Sequence, residues 1–452
     1  METCSNRIEE ICVKDVLFMT MKHFFPSFSN WLKAPADPRV KEKTTYPLPF
    51  ILWTVIIMFM AKLGARRQVN FLFNKPEVVS NLNELSGTEL EKMAHDTTLG
   101  NLLERINPDE IANIITRMVR RLIRMRCLER FRLLGMYYLI GVDASGHMAF
   151  KERHCEHCLV MKKNGVPVYY YHNVLEAKLI TSNGLALPVM TEFIENEDEN
   201  VSKQDCELRA FRRLEVRLKK AFPQLKICLL MDSLYPGAPV FKICRKNNWK
   251  FIITFKEGSM SAFYEDYLFY KRMGRVENAC VEKDRLKQDY CWINNLEYKS
   301  QYNLNVLECA EAEPGEKLAD SDPRFVWLTN LKINENNYKQ IAEGGRLRWK
   351  IENEGFNMQK NGGYNLEHAY SLDPTALKNL YHLMQVAHLI NQLMEKGSLL
   401  REHIRKAFGS IRNVARKLLE DLRTKPADSA RLKEILSQPI QIRFAPLSHA
   451  PP

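Results

Sequence analysis

The chain has 452 residues, of which 45% are hydrophobic and 27% are charged. This composition is typical of a folded protein with several buried cores, and it excludes disordered, collagen-like and low-complexity classes. The formal net charge of +12 favours a polyanionic partner such as nucleic acid, with an anionic membrane surface as the alternative. The eleven cysteines are an odd number scattered along the chain, which indicates a reducing, intracellular environment.

The first 135 residues have helical periodicity interrupted by proline- and glycine-containing turns. We predict a helical N-terminal region over residues 1–135. Its most apolar stretch runs from Phe50 to Ala61. A membrane-spanning helix needs about 20 apolar residues, so we predict a buried core helix here and no membrane partner.

The last helix of this region has one apolar face and one basic face. Apolar residues recur at intervals of three and four between Ile111 and Met125, while Arg117, Arg121 and Arg124 occupy the other face. A basic face of this kind is either solvated or in contact with DNA phosphates. We take these three arginines as candidates for contacts that position DNA without reading its sequence.

From Met136 the pattern changes to strands and then to alternating strands and helices. The segments MYYLIGVDASG, VYYYHNVLEAK and ALPVMTEFI predict three successive strands in an antiparallel meander. A helix from about Lys203 to Ala221 follows, and the strands KICLLM and FIITF with a helix between them indicate parallel pairing.

The remainder of the chain divides into three further segments. Residues 259–325 contain short β-like stretches and predict an inserted β subdomain, and residues 326–397 return to the α/β core. Within them, Asp373-Pro374 marks the start of a long helix that ends at Gly397. Residues 398–452 predict a basic, helical C-terminal region.

Two acidic residues follow buried strands. Asp143 follows MYYLIGV and Asp232 follows KICLLM, so both are expected at the carboxyl ends of neighbouring strands, where α/β sheets build their sites. An aspartate that merely caps a turn is the alternative for either position. A pair of carboxylates suits Mg²⁺ or Mn²⁺, which prefer oxygen ligands and leave positions for phosphate and water.

A third carboxylate is expected from the segment RLRWKIENEGFN. Glu352 and Glu354 are two residues apart, so they cannot share one helix face and only one of them is expected to point at the metals. Arg346 and Arg348 lie upstream and Lys360 lies downstream, and these cations are candidates for pairing with DNA phosphates. An exposed helix with charge pairs is the alternative.

These segments resemble the DDE transposases of bacterial insertion sequences that have a ribonuclease H-like core with a β-strand insertion. The resemblance runs from about Phe24 to the C-terminus and includes LIGVDASG, KQDCELRAFRRL, LLMDSLYPG, FIITFKEGSM, FVWLTNLKI, RWKIENEGFN and KNGGYNLEH, in that order. It implies an α/β fold with a ribonuclease H-like mixed sheet flanked by helices. Residues 136–258 and 326–397 would then be the two parts of the catalytic core, and residues 1–135 a DNA-binding region.

The resemblance also implies an activity and a site. Asp143, Asp232 and Glu352 would be the catalytic acids and hold two Mg²⁺ or Mn²⁺ ions about 3.5–4 Å apart for phosphoryl transfer. The protein would bind double-stranded DNA at the ends of its element, cut there and join the ends to target DNA. We expect a homodimer on DNA, in the cytoplasm at the nucleoid. The alternatives are a ribonuclease H-like nuclease without strand transfer and a DNA-binding derivative that has lost catalysis.

The chain departs from the family pattern at two positions around Glu352. The family has Tyr three residues before the arginine and Lys seven residues after the glutamate, whereas this chain has Gly345 and Gln359 there, with Lys360 one residue later. The roles of the Tyr and Lys are therefore not carried over. Glu354 stays open as the alternative third acid.

A second, smaller constellation contains His154, Cys155, His157 and Cys158. The C-x-x-C spacing is found in zinc sites, but a four-coordinate site needs further ligands and the chain has no second C-x-x-C. His172 or Cys206 would complete a site if the fold brought one of them near. Reduced, partly buried thiols are the alternative.

Two tryptophans have two interpretations each, and one histidine has a single expected role. Trp327 and Trp349 would either stack on an extruded base or belong to the core. His388 lies on the apolar stripe of its helix and is expected to be a hydrogen-bonded interior histidine.

Overall fold

The structure is a computed structural model that describes residues 12–283, 286–313, 323–427 and 429–445. The chain forms two compact units. One contains the residues up to Leu122 together with Met358–Ala445, and the other contains Ile123–Asn357. The first unit therefore combines an N-terminal and a C-terminal segment of the chain.

The described residues form fifteen α-helices. They are α1 Val13–Phe24, α2 Phe28–Leu32, α3 Leu48–Met60, α4 Val69–Leu72, α5 Pro76–Ser86, α6 Asp96–Leu103, α7 Pro108–Arg124, α8 Glu207–Ala221, α9 Ala238–Asn247, α10 Ser261–Arg272, α11 Tyr338–Arg346, α12 Met358–Asn361, α13 Pro374–Lys396, α14 Ile411–Thr424 and α15 Ser429–Ser437. A π-helical turn spans Ile351–Asn357.

The helical unit has its core around α3 and α13, which pack on each other. Every residue of α3 is buried, as predicted for its apolar sequence. Helix α13 begins as predicted, because the Asp373 carboxylate accepts a hydrogen bond from the Ala376 N–H at 2.8 Å and Pro374 occupies the first turn. In the part of the chain that the structure describes, no helix combines the length and the apolar character needed to cross a membrane.

Helix α7 has the two faces predicted from the sequence. Its apolar side chains are buried from Ile111 to Leu122. Pro108 starts the helix, and Asp109 and Glu110 in its first turn complement the helix dipole. Buried apolar residues at three- and four-residue spacing hold the helix in place and leave its arginine face outward.

The second unit contains one mixed sheet. Its strands are β1 Tyr138–Phe150, β2 Leu159–Lys163, β3 Val166–Ile180, β4 Ala186–Ile194, β5 Ile227–Met231, β6 Lys250–Thr254, β7 Glu277–Lys283, β8 Leu286–Tyr298, β9 Tyr302–Ala312 and β10 Arg324–Thr329.

The ten strands have the order β2-β3-β1-β5-β6-β10-β9-β8-β7, and β4 pairs with β3 beside β2. Strands β1, β5 and β6 are parallel, and the other pairs are antiparallel. Helix α8 packs on β4 and α11 packs on β6. The predicted mixed sheet flanked by helices is confirmed. Strands β1, β3 and β4 pair antiparallel as predicted, but they are not successive in the chain, because β2, which was not predicted, lies between β1 and β3.

Two features of the sheet differ from the sequence prediction. Strands β7, β8 and β9, from the segment predicted as an inserted β subdomain, continue the main sheet next to β10. Strand β1 does not end after Asp143 but continues to Phe150, because β3 supplies an antiparallel partner along its whole length. A register shift between Gly146 and Met148 marks a bulge in this long antiparallel pairing.

Candidate active site

Asp143 and Asp232 lie on neighbouring parallel strands. The parallel pairing of β1 with β5 ends at Gly141 and Leu230, and Asp143 lies two residues beyond it, while Asp232 directly follows β5. Asp232 accepts a hydrogen bond from the Leu234 N–H at 2.9 Å, which fixes the turn after β5. Both carboxylates therefore lie at the same edge of the sheet, as expected from the sequence.

Glu352 reaches this edge from the π-helical turn Ile351–Asn357, which packs against β1, β3 and β4. An added Cβ at Gly141 would lie 3.4 Å from Ile351 Cβ, so the turn lies close to the β1 backbone. Turns of π-helix are rare in proteins, and those that occur are often found at functional sites. The turn places Glu352 beside Asp143.

Arg348 joins the carboxylates of Asp143 and Glu352. Its Nη1 atom lies 2.8 Å from Glu352 Oε1 and 3.7 Å from Asp143 Oδ2. The side chain is 9% exposed, so this guanidinium is shielded from water and its charge acts mainly on these two acids. The sequence prediction had assigned Arg348 to DNA phosphates, and in this structure its partners are the two carboxylates.

The pKa of Asp143 is raised to about 7, far above its ordinary value. Burial is the largest cause, and the negative charges of Glu352 and Asp232 add to it. Arg348 and the Ala144 N–H, which donates to Asp143 Oδ1 at 2.9 Å, oppose the shift but do not cancel it. The negative charges of Glu352 and Asp232 thus both act on Asp143, so that all three acids share one electrostatic field. A further positive charge near them is therefore favoured.

A fourth acid, Glu207, also belongs to this group, and the sequence prediction did not single it out. Burial and then the charge of Asp232 raise the pKa of Glu207. Its Oε2 atom accepts a hydrogen bond from the buried Tyr235 hydroxyl at 3.3 Å. Glu207 is the first residue of α8, where an acid is expected simply to complement the helix dipole, so the sequence carried no distinct signal for it.

The carboxylates of these acids offer the donor atoms that divalent cations such as Mg²⁺ prefer. Their oxygens are hard ligands. Burial first, and then the negative charges of Glu352 and Asp232, raise the pKa of Asp143, so a cation bound there would favour its ionised form. The acids do not form a closed cage, because the described residues contain one group of three potential ligands within 4.8 Å of one another, and that group lies elsewhere. Asp143, Asp232 and Glu352 are the residues that would hold Mg²⁺ or Mn²⁺.

Glu354, the alternative third acid, has a different partner. Its Oε1 atom lies 3.7 Å from Lys350 Nζ, and the two-residue spacing keeps it off the helix face of Glu352. Glu352 is the acid of this segment that shares Arg348 with Asp143. The geometry therefore favours Glu352 over Glu354.

A buried ion pair lies next to the π-helical turn that carries Glu352. Lys178 and Glu176 are neighbours along β3, both side chains are fully buried, and their charged atoms lie 3.3 Å apart. Glu176 is opposite Asp143 in the β1–β3 register, and the Thr191 hydroxyl donates to it. An added Cβ at Gly355 would lie 3.0 Å from Lys178 Cε, so the lysine stem packs directly under the turn that carries Glu352. Sequence patterns had suggested only a buried strand here.

Gly345 and Gln359, which differ from the pattern of the family that the sequence resembles, are both closely packed. An added Cβ at Gly345 would collide with Trp327 Nε1, so the indole takes the space of a larger side chain. Gln359 is fully buried and bonds to Gln385 Oε1 at 2.7 Å and His388 Nδ1 at 2.9 Å, inside the helical unit. His388 is thus the interior, hydrogen-bonded histidine that was predicted.

A cavity of about 890 Å³ with aromatic and basic walls adjoins α11. Arg346 lies 4.2 Å above the Phe325 ring and forms an ion pair with Glu311 at 2.7 Å. Trp327 in the wall is buried, whereas Trp349 is 52% exposed. Of the two tryptophans considered for base stacking, only Trp349 presents a large accessible surface.

The other candidate DNA contacts lie on helices of the chain. Arg117 and Arg124 on α7 are exposed, and Arg121 is half-buried with its Nε donating to Phe24 O at 3.3 Å. Lys360 forms an ion pair with Glu367 at 2.8 Å. Arg117 and Arg124 are therefore the more accessible cations of this set.

Comparison of the chain with protein-family models and with curated proteins finds no match. The geometry of the carboxylates and the sequence motifs around them are therefore the basis on which a function is proposed.

Proposed function

We propose that the protein is a DNA transposase of the DDE type with a ribonuclease H-like core. In this proposal it binds the ends of its mobile element, cleaves the DNA there and joins the ends to target DNA. The observation that carries the proposal is the group of Asp143, Asp232 and Glu352, from two adjacent parallel strands and a π-helical turn, in one electrostatic field. The resemblance of the ordered sequence segments supports it.

The chemistry that follows is metal-assisted phosphoryl transfer. Two Mg²⁺ or Mn²⁺ ions, when bound, supply Lewis-acid stabilisation of the attacking and leaving oxygens. Asp143, whose carboxyl feels the charges of both Glu352 and Asp232, would hold these ions together with those two acids. The low exposure of the Asp143 and Arg348 side chains excludes water from this side of the site and strengthens every charge interaction there.

Arg348 has a supporting role in this proposal. It pairs with Glu352 and Asp143, which limits the repulsion between the two acids. Its planar guanidinium would also suit a DNA phosphate that enters the site. Trp349, whose ring lies 4.5 Å from the Arg348 guanidinium, helps to hold the guanidinium at the site.

DNA binding is assigned to basic surfaces and cleavage to the acidic centre. The exposed arginines of α7 and the cations of the cavity wall would hold phosphates, while the carboxylates stay with the metals. We expect a homodimer that holds two element ends together, which sizing of the DNA complex would test. A complex with one chain and one end would contradict the dimer.

The experiment uses the full chain and a duplex that carries the inverted repeat flanking its gene. We expect Mg²⁺-dependent cleavage at the repeat and joining of the new 3′-hydroxyl ends to a second duplex. Glu352→Gln should abolish both reactions and keep DNA binding, because the amide keeps the shape but loses the charge. Glu354→Gln is the matched control and should retain both.

Each other outcome has a defined meaning. Cleavage without joining would replace the transposase with a nuclease. DNA binding without any cleavage, in either Mg²⁺ or Mn²⁺, would replace it with a catalytically inactive DNA-binding protein. Full activity of Glu352→Gln with loss in Glu354→Gln would move the third acid to Glu354.

A further inference from the structure

We propose that Cys155, Cys158 and His172 form a zinc site, separate from the carboxylate centre. The Nε2 atom of His172 lies 3.4 Å from Cys155 Sγ and 3.3 Å from Cys158 Sγ. The two sulfur atoms lie 3.7 Å apart. Within the described part of the chain, this is the group of three whose ligand atoms all lie within 4.8 Å of one another.

These three distances agree with the edges of a zinc tetrahedron. With Zn–S bonds of about 2.3 Å and a Zn–N bond of about 2.0–2.1 Å, tetrahedral angles give an S–S edge of about 3.8 Å and S–N edges of about 3.5–3.6 Å. The observed separations of 3.7, 3.4 and 3.3 Å are within about 0.3 Å of those edges. One ion at the centre would therefore contact all three ligands with little movement.

The loop that carries the cysteines is built around the sulfur atoms. The Cys155 N–H donates to Cys158 Sγ at 3.4 Å, and the Cys158 N–H donates to Cys155 O at 3.4 Å. Cys158 is fully buried and Cys155 is half-buried, so the group is enclosed on one side and open on the other.

Asn196 fixes this loop to the end of β4. Its side chain donates to Cys158 O at 2.9 Å, and its N–H donates to His157 O at 3.1 Å. The carbonyl oxygen of Asn196 lies 2.9 Å from His157 Nδ1, which holds that imidazole in the scaffold of the loop. Partners of this kind around the ligands are typical of metal sites.

The donor set favours zinc over the alternatives. Two thiolates and one imidazole are soft and borderline ligands, unlike the oxygens at the carboxylate centre. A Cys155–Cys158 disulfide would require the sulfur atoms to approach from 3.7 Å to about 2.05 Å and would leave His172 without a function in the group. Cys206, the other candidate considered from the sequence, is exposed and is not in this group.

The three protein ligands leave one position of a tetrahedral zinc ion to be filled by a fourth ligand. Closed structural zinc sites take four protein ligands, whereas open sites keep one position for water. Since Cys155 is half-buried, water can reach the ion from that side. We therefore infer an open site with two sulfur ligands, one nitrogen ligand and one exchangeable position.

The zinc site would stabilise the long antiparallel pairing of β1 with β3. His172 is opposite Met148 in the β1–β3 register, next to the bulge between Gly146 and Met148, and the cysteines precede β2 at the edge of the sheet. A zinc ion there would link the loop before the edge strand β2 to β3, at the point where the hydrogen-bond pairing of β1 with β3 is interrupted. Strand β1 also carries Asp143, so the ion would stiffen the strand on which the carboxylate depends.

The test is a metal analysis of the purified full chain with reduced thiols. We expect about one zinc per chain in the parent protein and in the control Cys206→Ser. We expect loss of that zinc in Cys158→Ser and in His172→Ala. Replacement of zinc by Co²⁺ should give sulfur-to-cobalt charge-transfer bands in the parent and in the control.

X-ray absorption of the parent protein keeps the test decisive where a variant fails to fold. Two sulfur neighbours at about 2.3 Å and nitrogen at about 2.0 Å would support the site. Zinc with oxygen neighbours only, or no zinc uptake by the reduced protein, would each overturn it.

Discussion

Asp143→Asn should stabilise the protein when Mg²⁺ and Mn²⁺ are absent. The pKa of Asp143 rises from 3.8 to about 7, and this value already includes the favourable charge of Arg348. One pKa unit corresponds to about 1.4 kcal/mol, so ionised Asp143 lowers the free energy of unfolding by about 4 kcal/mol. An asparagine has a similar shape and cannot ionise, so this penalty should disappear.

The sign of the pH dependence follows from the raised pKa. Between about pH 4 and pH 7 the folded state binds the Asp143 proton more tightly than the unfolded state, so stability falls as pH rises through this window. Asp143→Asn should therefore be more stable than the parent by up to about 4 kcal/mol near pH 8 and nearly equal to it near pH 4. Cations that bind the folded state should stabilise the parent and not the variant.

The assay is urea-induced unfolding near pH 4 and near pH 8, with and without Mg²⁺. Glu354→Gln, which removes an acid paired with Lys350, is the matched control and should show no such pH-dependent gain. An Asp143→Asn variant that is no more stable than the parent near pH 8 would refute the reasoning. It would mean that burial and the neighbouring charges do not penalise ionised Asp143 as its raised pKa implies.

Three further predictions concern the support of the site and its DNA contacts. Lys178→Met leaves Glu176 buried without its counter-charge and should lower the free energy of unfolding by about 3–5 kcal/mol, with partial recovery in the double variant with Glu176→Gln. Equal stability of Lys178→Met and the parent in urea titration would contradict it. Gly345→Ala places a Cβ against Trp327 and should lower the free energy of unfolding by about 1–3 kcal/mol through overpacking. The control Gly258→Ala has open space around the added Cβ and should change the free energy of unfolding little. Similar values for the two variants would show that the indole moves away freely. Arg117→Gln should make the slope of log K against log salt for DNA binding shallower by about 0.9, the value expected for one neutralised phosphate, and an unchanged slope would identify a solvated face.

The sequence predicted local structure well where burial alone determined it. The segments around β5, β6 and α13 are strongly apolar or begin with clear capping residues, so their positions agree with the structure within a few residues. The end of β1 was predicted too early, because Asp143 was expected at the carboxyl end of the strand. The antiparallel partner β3 overrides that local preference by supplying hydrogen bonds up to Phe150.

Features that depend on packing between distant segments were not predictable. The buried pair of Lys178 and Glu176 has the spacing of any strand, and only the approach of Gly355 explains its position. His172 was one of two candidates for the cysteine group, and the pairing of β2 with β3 is what brings it there. Helices α3 and α13 were each predicted as apolar helices without a known partner.

The pairing of α3 with α13 has a consequence for how the chain is made. Helix α3 leaves the ribosome more than 300 residues before α13 is complete, which at about 5–20 residues per second is a delay of roughly 15–60 s. During that time the most apolar helix of the molecule has no partner from the C-terminal half. A shortened product that ends before residue 374 would expose α3 permanently, so we expect such products to aggregate or to be degraded rather than to compete with the full-length protein.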